Sequence, residues 1–242
     1  MSRSGEISYL NCVDNDELSW IRTKPFGRKY DTPRLLEDFA RILRILRLEG
    51  FEKCQLLEIG CCTGWLSDFL ARMGYKMVGI DICIDAVFLR QKEKGFNPKG
   101  AAFIGGDWEC LPFQAGSFDG VLVYDALHHA EDRGKVVAEV GRILRPGGLF
   151  MAFEPNQEHT TSPKAIAASH KYGTTEIGID WRAMKNALAA AGFTQFRRLY
   201  CPAFEVKRTL LRQMAHLLSK PIIDIFLRWR HQFPVHWVAR KN

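Results

Sequence analysis

A chain of 242 residues, 47% hydrophobic and 25% charged, has the composition and length of one globular domain with a sizeable core, since domains commonly hold about 100–200 residues. No apolar run reaches the roughly 18–20 residues that cross a bilayer, and the opening residues lack the basic-then-apolar design of a secretory signal, so a soluble, cytoplasmic protein is expected. The net charge of +7 is unevenly spread: residues 197–242 carry ten Lys/Arg against two Asp/Glu, a basic patch suited to phosphate, anionic lipid or an acidic substrate, or a solvated helical face.

In chain order, an irregular N-terminus precedes residues 32–50, where Leu35, Leu36, Phe39, Ile42, Leu43 and Leu46 fall at helical spacing between Thr32-Pro33 and Gly50. From residue 54 onward, short apolar runs alternate with helix-like segments. Strands are expected at 54–60, 76–82, 101–107, 117–126 and 149–155, with helices at 65–74, 85–95 and 135–148, the last stopped by Pro-Gly-Gly. A further helix at 181–193 leads to strands at 195–201 and 235–241. Alternating strands and helices imply right-handed crossovers and an α/β, doubly wound, mostly parallel sheet. Residues 156–180 are expected to be a loop, and 205–231 a basic, apolar-rich helical insertion at the sheet edge. The seven cysteines include no CxxC pair and no Cys/His cluster at zinc-finger spacing, which argues for free thiols and against a metal.

The chemistry concentrates at strand ends. Leu57-Glu58-Ile59-Gly60-Cys61-Cys62-Thr63-Gly64 occupies the first strand-to-helix turn, where ligands of open parallel sheets bind and glycines let backbone approach them. The spacing is not GxGxxG, so the dinucleotide fingerprint fails. Asp81 ends the second strand, 23 residues after Glu58, where an acid can accept from ribose hydroxyls. Asp107 ends the third strand in GGDWECLPF, placed to accept from an adenine amino group between apolar neighbours. Three carboxylates at three successive strand ends are expected to face one pocket.

The segments LLEIGCCTG, VGID, GDWECLPF, SFDGVLVYDALHH and ILRPGGLF resemble the class I S-adenosylmethionine-dependent methyltransferases, in particular the small-molecule, type 11-like branch that includes quinone-biosynthesis enzymes. The resemblance spans about residues 54–156. It implies a Rossmann-like seven-stranded sheet with an antiparallel last strand. It also implies that Glu58, Gly60 and Gly64 hold the methionine end of S-adenosyl-L-methionine, Asp81 the ribose, and Asp107 with Trp108 the adenine, with Cys61, Ile82 and Tyr124 as further cofactor-binding candidates. Cys62 departs from the pattern, standing where many relatives have glycine. The chain then divides into an N-terminal helical segment covering the site (1–50), a cofactor-binding core (51–156) and a substrate-side half (157–242) with the 205–231 insertion.

Methyl transfer to a hydroxyl needs collinear placement and a base. The candidates after the fourth strand are His128 first and His129 second, with His159 on the next strand-end loop third. Tyr172 and Glu176 are candidates for lining the acceptor pocket, and Trp65 and Tyr124 for approaching a sulfonium. The expected acceptor is a small, lipid-linked or sugar-linked molecule, anionic where it meets Arg208, Arg212, Lys220, Arg228 and Arg230; peripheral membrane contact fits the same segment. A scaffold retaining only the fold is the alternative. RNA methylation and dinucleotide-dependent redox chemistry are disfavoured, because no Asn/Asp-Pro-Pro-aromatic segment follows the fourth strand and the glycine spacing is wrong.

Overall fold

The computed structural model describes residues 3–29, 31–91, 100–199 and 234–242. The basic stretch 205–231 therefore lies outside the described residues. The strands are β1 (Gln55–Ile59), β2 (Lys76–Asp81), β3 (Ala101–Gly105), β4 (Phe118–Tyr124), β5 (Leu144–Glu154), β6 (Phe193–Leu199) and β7 (Val235–Lys241). They form one seven-stranded sheet in the order β3-β2-β1-β4-β5-β7-β6. The first five positions run parallel, and β7 pairs antiparallel with both β5 and β6. The expected Rossmann-like sheet with an antiparallel last strand is what forms.

Side chains alternate across each strand, so the sheet buries two faces. Leu57, Ile59, Val121, Val123, Phe150, Ala152 and Trp237 pack with helices α6 (Arg133–Ile143) and α8 (Trp181–Ala190). Leu56, Leu122, Met151, Phe153 and Val238 pack on the other side with α3 (Asp31–Leu48) and α4 (Trp65–Arg72). The helix α5 (Asp85–Gln91) completes the second crossover. Because strand order reverses between β1 and β4, the loops after these strands part and leave a crevice at their carboxyl ends.

Three expectations are corrected. The N-terminus is not irregular: it forms α1 (Arg3–Cys12) and α2 (Asn15–Thr23). Asp14 caps α2 by accepting from the Glu17 N–H at 2.9 Å, whereas α1 is held by tertiary contacts, with Tyr9 edge-on to Tyr172 at 5.2 Å. Residues 156–180 are not a plain loop. They contain a 3-10 turn (157–161) and α7 (Pro163–Tyr172), capped by Ser162 at one end and by left-handed Gly173 (φ 71°) at the other. Finally, α6 stops at Ile143, and Pro146-Gly147-Gly148 lies within the first residues of β5, where the ladder with β4 shifts register.

Candidate active site

A cavity of about 450 Å³ opens at the carboxyl ends of the parallel strands. Its floor is the turn after β1. Gly60 (φ 71°) donates its N–H to the Ile80 carbonyl at 2.9 Å. A Cβ there would lie 2.3 Å from the Ala126 Cβ and 2.8 Å from the Trp108 ring, so only glycine lets the indole rest on the turn. Cys62 follows at φ 48°, a left-handed conformation that costs a non-glycine residue about 1–2 kcal/mol. Asp81 offsets this: its Oδ2 accepts the Cys62 N–H at 2.7 Å and its Oδ1 the Cys83 N–H at 2.8 Å. The turn thus keeps its shape without the middle glycine. Burial pushes the Cys62 thiol up to about 11, so it is protonated at neutral pH.

Gly60, Asp81, Ile82, Trp108, Tyr124, His128 and His129 all line the cavity. So do His159, Tyr172 and Glu176, whereas Glu58, Cys61, Gly64, Trp65 and Asp107 do not. Glu58 lies between Leu57 and Ile59 on the opposite side of the pleat, where the Ser67 hydroxyl of α4 donates to it. Burial raises its carboxyl to about 8. Cys61 is buried, and Gly64 (φ 69°) starts α4 against the Phe103 ring. Asp107 accepts the Glu109 N–H at 2.9 Å within its own loop. The expected convergence of three carboxylates is therefore corrected: Asp81 alone faces the cavity, because strand alternation and a loop hydrogen bond direct the others elsewhere. Trp65 is in the core, edge-on to Tyr124 at 5.8 Å.

The loop bearing Trp108 is held from α6. Glu139 accepts the Leu111 N–H at 2.8 Å, and Arg142 donates to the carbonyls of Phe113 (2.7 Å) and Leu111 (2.9 Å) while gripping Glu139 through two bonds of 2.7 Å.

The far end of the cavity is rich in histidine. Glu154, fully buried at the end of β5, accepts the N–H groups of Ala126 (3.0 Å), Leu127 (2.9 Å) and His128 (3.2 Å). It also accepts the His128 Nδ1–H at 2.8 Å. This makes Nδ1 the donor to Glu154 and places Nε2 of His128 3.7 Å from Glu176. His159, the third candidate, donates to Glu176 at 2.8 Å. His129 donates to the Thr175 carbonyl at 2.5 Å and lies 3.5 Å from Glu6. Burial opposes its charge, but the hydrogen bond and charge of Glu6, the charge of Glu176 and the Thr175 carbonyl raise it to about 9.

Several wall residues escaped the sequence reading. Asp125 (φ 54°) faces the cavity; burial works against its charge, but His128, Arg34, Lys24 and His129 hold it well below the usual carboxylate range. Arg34 of α3 donates to the Tyr124 hydroxyl at 3.3 Å, and that hydroxyl donates to buried Asp38 at 2.8 Å. Glu6, Tyr9 and Arg34 reach the wall from the N-terminal helices and Lys24 from the residue after α2, where no local pattern marks them. Glu154 did carry a signal, as a lone acid ending the apolar run LFMAFE.

Residues 57–152 match the methyltransferase domain family. Among curated proteins, the chain is 32% identical to a phthiotriol/phenolphthiotriol dimycocerosates methyltransferase of Mycobacterium tuberculosis over 48% of its own length and 43% of that protein. It is 29% identical to a ubiquinone biosynthesis O-methyltransferase of Methylocella silvestris, over 62% of this chain and 60% of that one. The matches thus span about half the length of these relatives. Among solved structures, a Haemonchus contortus phosphoethanolamine N-methyltransferase 2 in complex with S-adenosyl-L-methionine superposes with a TM-score of 0.65 at 18% identity, covering 100% of this chain and 60% of that one. The strand order, the glycine turn and the match of residues 57–152 to the methyltransferase domain family agree, and over this core the chain is similar to the class I S-adenosylmethionine-dependent methyltransferases of the type 11 branch.

Proposed function

We propose that the chain transfers a methyl group from S-adenosylmethionine to a hydroxyl oxygen of a small-molecule, lipid-linked or sugar-linked acceptor. The cavity suits that cofactor: the Gly60 turn is closed by the Trp108 ring, and Asp81 with Ile82 borders it on the ribose side. When bound, the cofactor supplies the methyl group on a sulfonium whose leaving group is a neutral thioether. Gly60, Asp81, Ile82 and Trp108 would hold it directly, while Glu58, Cys61, Gly64 and Asp107 shape the turn and loop beneath.

One observation carries the choice of oxygen chemistry. His128 is clamped by Glu154 through Nδ1 and presents Nε2 to the cavity, the arrangement of a general base that takes a hydroxyl proton. His129, held cationic by Glu6 and Glu176, serves better as a fixed charge than as a base. The acceptor class draws on the names of the relatives, which concern a complex lipid and a quinone pathway. An anionic acceptor or a membrane surface meeting the basic 197–242 segment belongs to the same reading.

The test is mass-spectrometric transfer of a deuterated methyl group to a panel of hydroxylated lipids, sugars and quinols, with amines as controls. Wild type is expected to label a hydroxyl, and His128→Asn to lose labelling while still binding the cofactor by calorimetry. Labelling confined to amines, or a His128→Asn variant with undiminished rate, refutes the proposal.

A further inference from the structure

We infer that His128, His129 and Glu176 form a binding site for a divalent cation of the zinc class on the wall of this cavity. Each offers one ligand atom, and the three atoms lie within 4.8 Å of one another. His128 Nε2 is 3.7 Å from Glu176 Oε2, and His129 Nδ1 is 3.9 Å from Glu176 Oε1. Metal–ligand bonds of about 2.0–2.2 Å bring tetrahedral ligands to roughly 3.3 Å from one another. The observed spacing is therefore within a small side-chain adjustment of coordination.

The surroundings separate this cluster from an incidental grouping of polar side chains. Ligating histidines characteristically donate their second ring nitrogen to a carboxylate or carbonyl, which orients the ring. Glu154 does this for His128, and it is itself immobilised by three backbone N–H groups. His159 plays the matching part for Glu176 by donating to Oε2 at 2.8 Å. At His129, Nδ1 now donates to the Thr175 carbonyl, so ligation through that atom replaces the hydrogen bond and releases the ring's extra proton to solvent. Glu6, 3.5 Å from the same nitrogen, is a further carboxylate within reach.

Two imidazoles and one carboxylate suit Zn²⁺ or Co²⁺ better than Mg²⁺, which favours an all-oxygen shell. All three ligands also line the cavity, so a fourth position opens toward the acceptor, as in catalytic rather than structural zinc sites. With the cation bound, a hydroxyl at that position would ionise more readily, its proton passing to solvent; with the cation absent, His128 Nε2 is free to serve as the base. Only this last role rests on the proposed function; cation binding stands apart from it.

The experiment uses the full chain, stripped with chelator and titrated without cofactor or acceptor, so that failure of methyl transfer cannot be mistaken for failure of the site. Zn²⁺ by calorimetry and Co²⁺ by visible absorption are expected to show one equivalent, displaced by neither Mg²⁺ nor salt. His129→Asn and Glu176→Gln are expected to weaken binding at least tenfold, and Glu154→Gln about 10–100-fold. The unfolding midpoint of Glu176→Gln, checked by circular dichroism, verifies that this variant folds. Absence of stoichiometric binding in wild type overturns the inference. So does a Co²⁺ spectrum unchanged in both ligand variants, or one dominated by sulfur-to-metal charge transfer from the cysteines.

Discussion

Replacing Glu154 by glutamine removes one charge and turns one carboxylate oxygen into an amide donor. Oε1 now accepts the N–H groups of Ala126 and Leu127, and Oε2 accepts the N–H and Nδ1–H of His128. With the amide nitrogen in the first position, two buried N–H groups lose their acceptor, at about 1–3 kcal/mol each. In the second position only the His128 N–H is left unpaired, because the imidazole can shift its proton to Nε2 and accept the amide through Nδ1. The second orientation is therefore favoured, and it leaves Nε2 protonated and unable to act as a base. The expected result is a destabilisation of about 1–3 kcal/mol, or about 2–12 °C in unfolding midpoint for a domain of this size. The methyl-transfer rate is expected to fall by about 10²–10⁴, the usual contribution of a positioned base. Thermal unfolding and initial rates at saturating cofactor measure the two effects. A variant with an unchanged midpoint and a rate within twofold of wild type refutes both the hydrogen-bond account and the assigned role of His128.

At the floor of the cavity, Gly60→Ala introduces a methyl 2.3 Å from the Ala126 Cβ at a left-handed φ; cofactor affinity by calorimetry should fall at least about tenfold, a loss of 1.4 kcal/mol or more, and an unchanged affinity counts against the placement. Trp108→Ala should raise the cofactor dissociation constant more than it lowers the rate at saturation, as steady-state kinetics would show. Arg142→Ala frees the loop carrying Trp108 and should lower the unfolding midpoint while raising the KM for the cofactor; unaffected kinetics would make that clamp purely architectural. Glu58, raised by burial to about 8 from an ordinary 4.5, holds its proton in the folded chain over a range where the unfolded chain has lost it. Its contribution to stability is complete below about pH 4.5 and is lost as pH rises through about 8. Urea unfolding between pH 5 and 8 should accordingly be flatter for Glu58→Gln than for wild type.

The residues that make strands and turns were legible because their causes are local. Alternating apolar runs, Gly60 and Gly64 at the bend, and Asp81 at the tip of β2 announced the sheet and the crevice at its carboxyl ends. Helix α7 carried local signals as well, Ser162-Pro163 before it and Gly173 after it, but its alanine-rich face has too weak an apolar period to reveal it. The substitution at Cys62 was visible as a departure from the glycine pattern; that Asp81 receives its N–H and preserves the turn was not.

At the histidine-rich end of the cavity the sequence named His128, His129, His159, Tyr172 and Glu176, but their arrangement was decided by the tertiary structure. Which way Glu58 and Asp107 face depends on strand phase and on a hydrogen bond inside one loop, neither of which can be read from the mere presence of an acid at a strand end. His128 meets Glu154 because β4 and β5 are parallel neighbours, so their carboxyl ends lie side by side. Glu176 and Glu6 arrive from segments on either side of the core in sequence, brought in by the packing of α1 on α7. Periodicity and turn chemistry report a residue's neighbours along the chain, whereas this cluster is assembled from five segments by the burial of the sheet between its helices.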